Sequence, residues 1–313
     1  MSEVFTSFNP ETDDVITLVD AIAQEEADLT IDPESVSFTG GFTTNTFDND
    51  GNAPQTSFYD GSLDLGIGAG ILLTSGDATP PLENTQGGYS VTQEGNTDPD
   101  LQAVADSAFE GSGEVQDANL LEFSFTVDDP DVESVKFDLV FGSDEFPEYS
   151  NSSFVDAAAV FVNGENVALF NNNENQPLSV IDQNLQAGNF IDNESGAIPD
   201  DFTGETQALP IEYDGVSSPL TIFAPVNQGT NTVKIGIADT GDQILDSGLF
   251  VSNFTTSSIG NDEGGSGVLQ QVLGTAEAND LTATDNDEFI QTFEGDDVVD
   301  PGSGEVDEGV PVD

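Results

Sequence analysis

The chain has 313 residues, with 61 Asp and Glu against two Lys, no His, no Cys and no Trp, and its formal net charge is -59. This charge argues against nucleic-acid and anionic-membrane partners, which are recognised through Lys and Arg. The missing His and Cys remove the usual ligands of zinc, copper, haem and iron–sulfur centres and the residues of Ser-His-Asp and Cys-His catalysis.

The length allows one large domain with a tail. We predict an N-terminal arm over residues 1–13, a β-rich domain over 14–258, a glycine-rich linker over 259–273 and an acidic tail over 274–313. The first residues carry no basic region followed by an apolar one, so the sequence predicts no Sec-type signal peptide. No apolar run approaches the roughly 20 residues of a membrane-spanning helix.

One amphipathic helix is predicted near the N terminus. Val15, Leu18, Val19 and Ile22 share one face at helical spacing and predict about four turns. The tripeptide 9–11, Asn-Pro-Glu, offers an N-cap, a proline at the first helical position and an early acid.

Beyond this helix, the sequence predicts mainly strands and long loops. Short strands are expected at 36–39 and 70–74, and a short helix at 101–108. Apolar residues alternate with polar ones from Leu121 to Val127, which is typical of a half-buried strand. With 22 Phe residues available to fill a core, the sequence predicts an all-β fold, a jelly-roll-like β-sandwich with one short N-terminal helix and long loops.

The stretch 137–164 combines a carboxylate-rich loop with two apolar strands. Asp144 and Glu145 follow an alternating strand, and Asp156 precedes the apolar run 157–162. The dipeptide 163–164, Asn-Gly, then predicts a type I′ hairpin. Oxygen ligands held between strands, without nitrogen or sulfur donors, suit a hard cation such as Ca²⁺.

A second stretch has the same design. The alternating strand 233–237 leads into Asp239, Asp242 and Asp246. We expect the two loops to meet at one end of the sandwich and to share calcium.

The acidic tail contains short segments similar to the nonapeptide repeats of calcium-bound β-rolls. The better match is 293–300, which contains Asp296 and Asp297, and these two residues are further candidate calcium ligands. Two interpretations stay open, a degenerate RTX-like (hemolysin-type calcium-binding) tail and a disordered acidic tail.

The chain resembles the choice-of-anchor L family of bacterial secreted and surface proteins from about Asp14 to Phe254. The resemblance lies in segments 70–76, 98–101, 118–125, 137–149, 154–156, 213–215 and 237–247. It implies an extracellular β-rich domain attached by varying C-terminal anchors, with a poorly defined biochemical activity. The tail resembles substrates of type I secretion. This chain departs from the family at Phe146, where tyrosine is usual, and in its scarcity of Lys and Arg.

We therefore predict a calcium-stabilised extracellular structural or adhesive protein that self-assembles into a surface layer or filament. The alternative is a monomeric, calcium-dependent module that binds carbohydrate, such as a surface glycan, or protein. An enzyme is not expected, because adjacent acids such as Asp144 and Glu145 rarely flank a substrate. Assembly is expected through calcium bridges and strand addition by a terminal arm. The arm is either residues 1–12, whose Val4, Phe5 and Phe8 would fill a groove on the neighbouring copy, or the tail after Gly260.

Overall fold

The computed structural model describes residues 4–24, 29–45, 51–63, 65–93, 95–193 and 205–257, and the backbone of 267–273, 280–282, 288–291, 298–300 and 306–309. This part of the chain is mostly β-structure with three α-helices, which are α1 (Ile16–Ile22), α2 (Pro99–Ala108) and α3 (Asp182–Gln186). No helix in these ranges has the length and apolar character needed to cross a bilayer.

The strands up to residue 143 are β1 (Phe5–Ser7), β2 (Leu29–Thr39), β3 (Phe42–Asn45), β4 (Gly51–Pro54), β5 (Thr56–Tyr59), β6 (Gly70–Thr74), β7 (Val115–Val127) and β8 (Ser134–Ser143). Those from 157 to 257 are β9 (Ala157–Val162), β10 (Glu165–Asn166), β11 (Phe190–Asp192), β12 (Glu205–Thr206), β13 (Gly215–Ser217), β14 (Leu220–Pro225), β15 (Gly229–Thr240) and β16 (Ser247–Ser257). The last five are β17 (Gly267–Leu273), β18 (Asp280–Thr282), β19 (Glu288–Gln291), β20 (Val298–Asp300) and β21 (Val306–Gly309).

Two sheets pack face to face. In the first, the order along the main path is β1-β5-β6-β16-β8-β14-β17-β19-β21, and in the second it is β10-β9-β15-β7-β2. The alternating residues of β7 and β8 point into one apolar core, where Phe137 of β8 stacks on Phe254 of β16 with ring centroids 4.8 Å apart. The predicted all-β sandwich is therefore confirmed.

The predicted hairpin is also present. β9 and β10 pair antiparallel around Asn163 and Gly164, whose φ angles are 53° and 88°. Both values are positive, as a type I′ turn requires.

The N-terminal segment lies on its own domain. β1 pairs with β5, and Phe8 is buried in the main core beside Phe38 and Phe58. Val4 and Phe5 pack in a second apolar cluster. In this structure these side chains therefore pack within their own chain, whereas the sequence predicted that they fill a groove on a neighbouring copy. Burying two Phe rings locally removes them from water without a partner.

The first helix is shorter than its sequence predicted. α1 has seven residues, buries Leu18, Val19 and Ile22 as expected, and begins after Val15 with no side-chain cap. The Asn9 side chain instead accepts a hydrogen bond from the Glu11 backbone N–H at 2.9 Å, which closes a turn before the helix. The helix predicted at 101–108 is present as α2 and is capped by Asp98, which accepts from the backbone N–H groups of residues 100 and 101.

The C-terminal strands continue the first sheet. β17 pairs antiparallel with β14, so the segment 267–273 of the predicted linker is a strand. Beyond it the pairing becomes parallel: Gln270 pairs with Glu288, Glu288 with Val306, and Asp280 with Val298. The two residues of each of these pairs are 18 positions apart in the sequence.

Candidate functional site

The two predicted carboxylate loops meet at one end of the sandwich. β8 and β16 pair so that Ser143 lies opposite Ser247, and the backbone N–H of Asp144 donates to the Asp246 carbonyl at 3.1 Å. From the other sheet, the Thr240 N–H donates to Asp156 Oδ1 at 3.1 Å. The predicted meeting of the loops is confirmed, and both sheets contribute to it.

Three carboxylates form what we call the Asp239 group, namely Glu145, Asp156 and Asp239. All three are buried, with relative exposures of 1–2%. Asp156 accepts hydrogen bonds from Thr240 N–H and, at 2.7 Å, from the Ser247 hydroxyl. In contrast, both carboxylate oxygens of Asp239 and Oε2 of Glu145 have no hydrogen-bond partner.

Burial and mutual repulsion raise the pKa of every member of this group. Burial, then the charges of Asp239, Asp242 and Glu148, raises the pKa of Glu145 to about 9. Burial and the neighbouring Asp156 and Asp246 raise the pKa of Asp239 well above its usual range. The Ser75 hydroxyl faces Asp239 and opposes this rise, but it does not reach hydrogen-bond geometry.

A second set, which we call the Asp144 group, consists of Asp144, Glu212 and Asp214. Asp144 is buried, and both of its carboxylate oxygens lack hydrogen-bond partners. Burial, followed by the charges of Asp214, Asp246 and Glu212, raises its pKa well above the usual range. The Tyr89 backbone N–H faces the Asp144 carboxylate and opposes this rise in its pKa, without forming a hydrogen bond of normal geometry.

Asp246 lies between the two groups. It is fully buried, and its oxygens accept from the backbone N–H groups of Val91 at 2.8 Å and Asp77 at 3.1 Å. Gly76 makes this position possible, because a Cβ there would overlap the Asp246 carboxylate. The long loop after β6 thus holds Asp246 in place through backbone groups.

A slot formed by two glycines receives a tyrosine ring beside Asp144. Gly142 of β8 pairs with Gly248 of β16, and a Cβ on either would collide with the Tyr213 ring. The ring is buried, and its hydroxyl has no hydrogen-bond partner. Burial and the charges of Asp246, Asp144 and Asp77 raise the pKa of Tyr213, so this hydroxyl stays neutral.

No basic side chain of the chain neutralises these carboxylates. The two Lys residues are the only basic side chains in the sequence. Lys136 lies near the start of β8, whereas Asp144 follows its end. Lys234 pairs with Asp98 and with Asp100 at 2.8 Å. Buried carboxylates without a partner are strongly disfavoured, so protons or bound cations must neutralise them.

The donor set suits a hard cation. The Ser247 hydroxyl contacts Asp156 in the Asp239 group, the Asn84 side-chain amide contacts Asp214 in the Asp144 group, and oxygen ligands are those that Ca²⁺ prefers. Within the described residues, no three acidic side chains converge closely enough to form a ready-made metal site. A cation here would therefore draw the unpartnered oxygens together, or take further ligands from hydroxyls, carbonyls and water.

The structure places five of the eight predicted ligands in this buried cluster, namely Asp144, Glu145, Asp156, Asp239 and Asp246. Asp242 is half-exposed, and its Oδ1 accepts from the Ile244 N–H at 3.1 Å, which closes a turn. Asp296 and Asp297 lie outside the described residues.

Sequence reasoning missed Asp77, Glu212 and Asp214. Asp77 comes three residues after the end of the apolar strand β6, so the criterion used for the two predicted loops, an acid close to the end of an apolar strand, would have found it. Glu212 and Asp214 flank the Tyr213 of a segment noted only for its resemblance, and nothing local marks them as ligands.

The family model described as the Choice-of-anchor L domain matches residues 7–256, which include every carboxylate of the two groups. This match confirms the family resemblance seen in the sequence. No curated protein and no solved structure shows significant similarity to the chain.

Proposed function

This chain belongs to the choice-of-anchor L family of bacterial surface-associated proteins, and we propose that it is a structural or adhesive surface protein stabilised by calcium. One observation carries the proposal. The end of the sandwich buries carboxylates whose oxygens have no partner, in a chain whose two basic residues lie elsewhere.

Bound cations explain this arrangement better than protons do. A protonated carboxyl needs an acceptor for its O–H group, and both oxygens of Asp144 and of Asp239 lie without any hydrogen-bond partner. A cation instead accepts electron pairs from several oxygens at once. Calcium is favoured over magnesium because it tolerates irregular coordination and dehydrates more readily.

Such a cation would fasten the two sheets to each other. Asp144 and Glu145 extend from β8 of the first sheet, and Asp239 ends β15 of the second. Since these loops form only in the folded chain, calcium bound there stabilises the native state by mass action.

The tail supports a further part of the proposal, an RTX-like C-terminal segment. Its parallel strands repeat every 18 residues, which equals two nonapeptides. A calcium-binding coil of this kind fits secretion of the type I class, and an open end of the extended sheet would allow copies to assemble into a layer or filament.

A groove favours the alternative, a carbohydrate-binding module. It measures about 380 Å³ and lies on the outer face of the second sheet. Hydroxyl and carboxylate groups that could bind sugar hydroxyls line it, namely Ser35, Ser37, Ser124, Thr232, Asp100 and Glu122.

Thermal unfolding tests the calcium proposal. We expect the melting temperature to rise in calcium relative to chelator at matched ionic strength, and to rise much less in magnesium. Equal melting curves in calcium and chelator would refute it.

Assembly is tested separately by light scattering and electron microscopy of the full chain at high concentration with calcium. Particles or filaments support the structural protein. A persistent monomer that binds a glycan through the groove supports the alternative.

A further inference from the structure

The two adjacent acids of the β8 loop face different groups of residues. The pKa of Glu145 responds to Asp239 and Asp242, whereas that of Asp144 responds to Asp214 and Asp246.

We propose that Asp144, Glu212 and Asp214, which are not a ready-made site without an ion, close around a second divalent hard cation such as Ca²⁺, separate from the one at the Asp239 group. This inference rests on the proposed calcium dependence of the protein. It adds a site that the sequence did not indicate, since neither Glu212 nor Asp214 belongs to the predicted loops.

Strand register brings the members together. β13 pairs antiparallel with β8, with Gly215 opposite Ser143 and Val216 opposite Gly142. Asp214 and Asp144 directly adjoin the paired residues Gly215 and Ser143, so the two acids lie at the same end of this pairing. On its other side, Asp144 is fixed by its backbone hydrogen bond to Asp246.

Buried oxygens without partners converge on this region. They are both carboxylate oxygens of Asp144, the Tyr213 hydroxyl and the Asn84 amide oxygen. Asn84 is anchored by its amide nitrogen, which donates to the Asn193 carbonyl at 2.9 Å and to Asp214 Oδ1 at 2.7 Å. The side-chain oxygen of Asn84 therefore lies near the Asp214 carboxylate without a hydrogen-bond partner. Because all of these candidate ligand atoms are oxygens, they favour a hard cation.

The site would tie two irregular loops to the sandwich. Glu212 Oε1 accepts from the Gln86 N–H at 2.9 Å, in the long segment between β6 and α2. Asp214 directly precedes β13. A cation held by Asp144 and these two acids would therefore connect both segments to the end of β8.

Terbium offers a direct probe, because its luminescence is sensitised by nearby aromatic rings and this chain has no Trp and only four Tyr. The Tyr213 ring packs against Gly142 of β8, two residues before Asp144, so it lies close to the Asp144 group. We expect tyrosine-sensitised emission from terbium bound to the wild-type chain, and strong loss of that emission in Tyr213→Phe with the bound stoichiometry unchanged.

Equilibrium dialysis with calcium counts the sites. We expect Asp144→Asn and Glu212→Gln each to bind one equivalent of calcium fewer than wild type, because both lose the second site. Asp239→Asn should also bind one equivalent fewer, through loss of the site at the Asp239 group. The double variant Asp144→Asn with Asp239→Asn should therefore bind two equivalents fewer. Asp138→Asn is the matched control, since its carboxylate on the same strand already accepts from Thr221 and Asn253 at 2.7 Å each. Circular dichroism checks that each variant is folded.

The outcomes separate the two proposals. If Asp239→Asn alone removes all bound calcium, or Asp144→Asn and Glu212→Gln remove none, the second site is refuted while calcium dependence stands. If the wild type binds no calcium, both proposals fail. An unfolded Asp144→Asn leaves the decision to Glu212→Gln and to the terbium emission of Tyr213→Phe.

Discussion

Without a cation, acid should stabilise this protein, contrary to the usual behaviour of carboxylate-rich chains. The pKa of Glu145 is 4.5 in its ordinary state and is raised to about 9 in the fold, by burial and then by the charge of Asp239. Between these values the native state holds a proton that the unfolded chain has lost. The contribution of Glu145 to stability is thus fully present below about pH 4.5. As the pH rises from there to about 9, this contribution falls by about 1.4 kcal/mol per pH unit.

Between pH 4.5 and pH 9, the loss of this proton would lower the free energy of unfolding by roughly 6 kcal/mol for Glu145 alone, if the structure does not relax. Asp144, Asp156, Asp239 and Asp246 have pKa values raised in the same direction, so the measured slope should be steeper than one proton gives. For a domain of this size, 1.4 kcal/mol shifts the melting temperature by about 3–6 °C.

The assay is chemical or thermal unfolding in chelator from pH 5 to pH 8, repeated at saturating calcium. Calcium binds the ionised carboxylates, so the gap between the two stability curves should widen as pH rises. Glu145→Gln should reduce the slope in chelator by about 1.4 kcal/mol per pH unit. Stability in chelator that increases from pH 5 to pH 8 would refute the reasoning.

Three further outcomes are expected from the geometry. Asp156→Asn and Asp239→Asn should weaken calcium binding non-additively in a double-mutant cycle measured by calorimetry, because Asp156 contributes the largest charge effect on the pKa of Asp239, and strict additivity would indicate independent sites. Gly76→Ala should destabilise the fold and weaken calcium binding, since its methyl group would displace the Asp246 carboxylate; an unchanged melting temperature in calcium would contradict this. Phe8→Ala should cost about 3–5 kcal/mol in denaturant unfolding without altering the calcium stoichiometry, and a cost under about 1 kcal/mol would show that the N-terminal segment is not part of the core.

Local patterns predicted much of the sandwich because they carry their own physical signal. The alternation from Leu121 to Val127 fixes which face of β7 enters the core, and the Asn163-Gly164 pair allows the positive φ angles of the hairpin. The positions of Asp144 and Asp239 were predictable for the same reason, since Asp144 directly follows β8 and Asp239 is the last residue but one of β15.

Non-local pairing decided the rest. The proximity of Asp214 to Asp144 depends on the register between β13 and β8, and no short segment encodes it. The N-terminal Phe8 could equally fill a groove on a neighbour or on its own domain, and only the folded core distinguishes the two. Asn9 and Pro10 satisfy the rules for a helix start, yet the same side chain closes a turn equally well.

The two lysines have a consequence for proteolysis. Trypsin-like proteases cleave after Lys or Arg, so this chain offers them only the bonds after Lys136 and Lys234. Both bonds lie within paired strands, in β8 and β15, where a protease cannot bind extended backbone until the sandwich opens. A protein exposed at a bacterial surface would thereby resist this class of enzyme for as long as it stays folded, and its cleavage into the three fragments 1–136, 137–234 and 235–313 would report opening of both sheets.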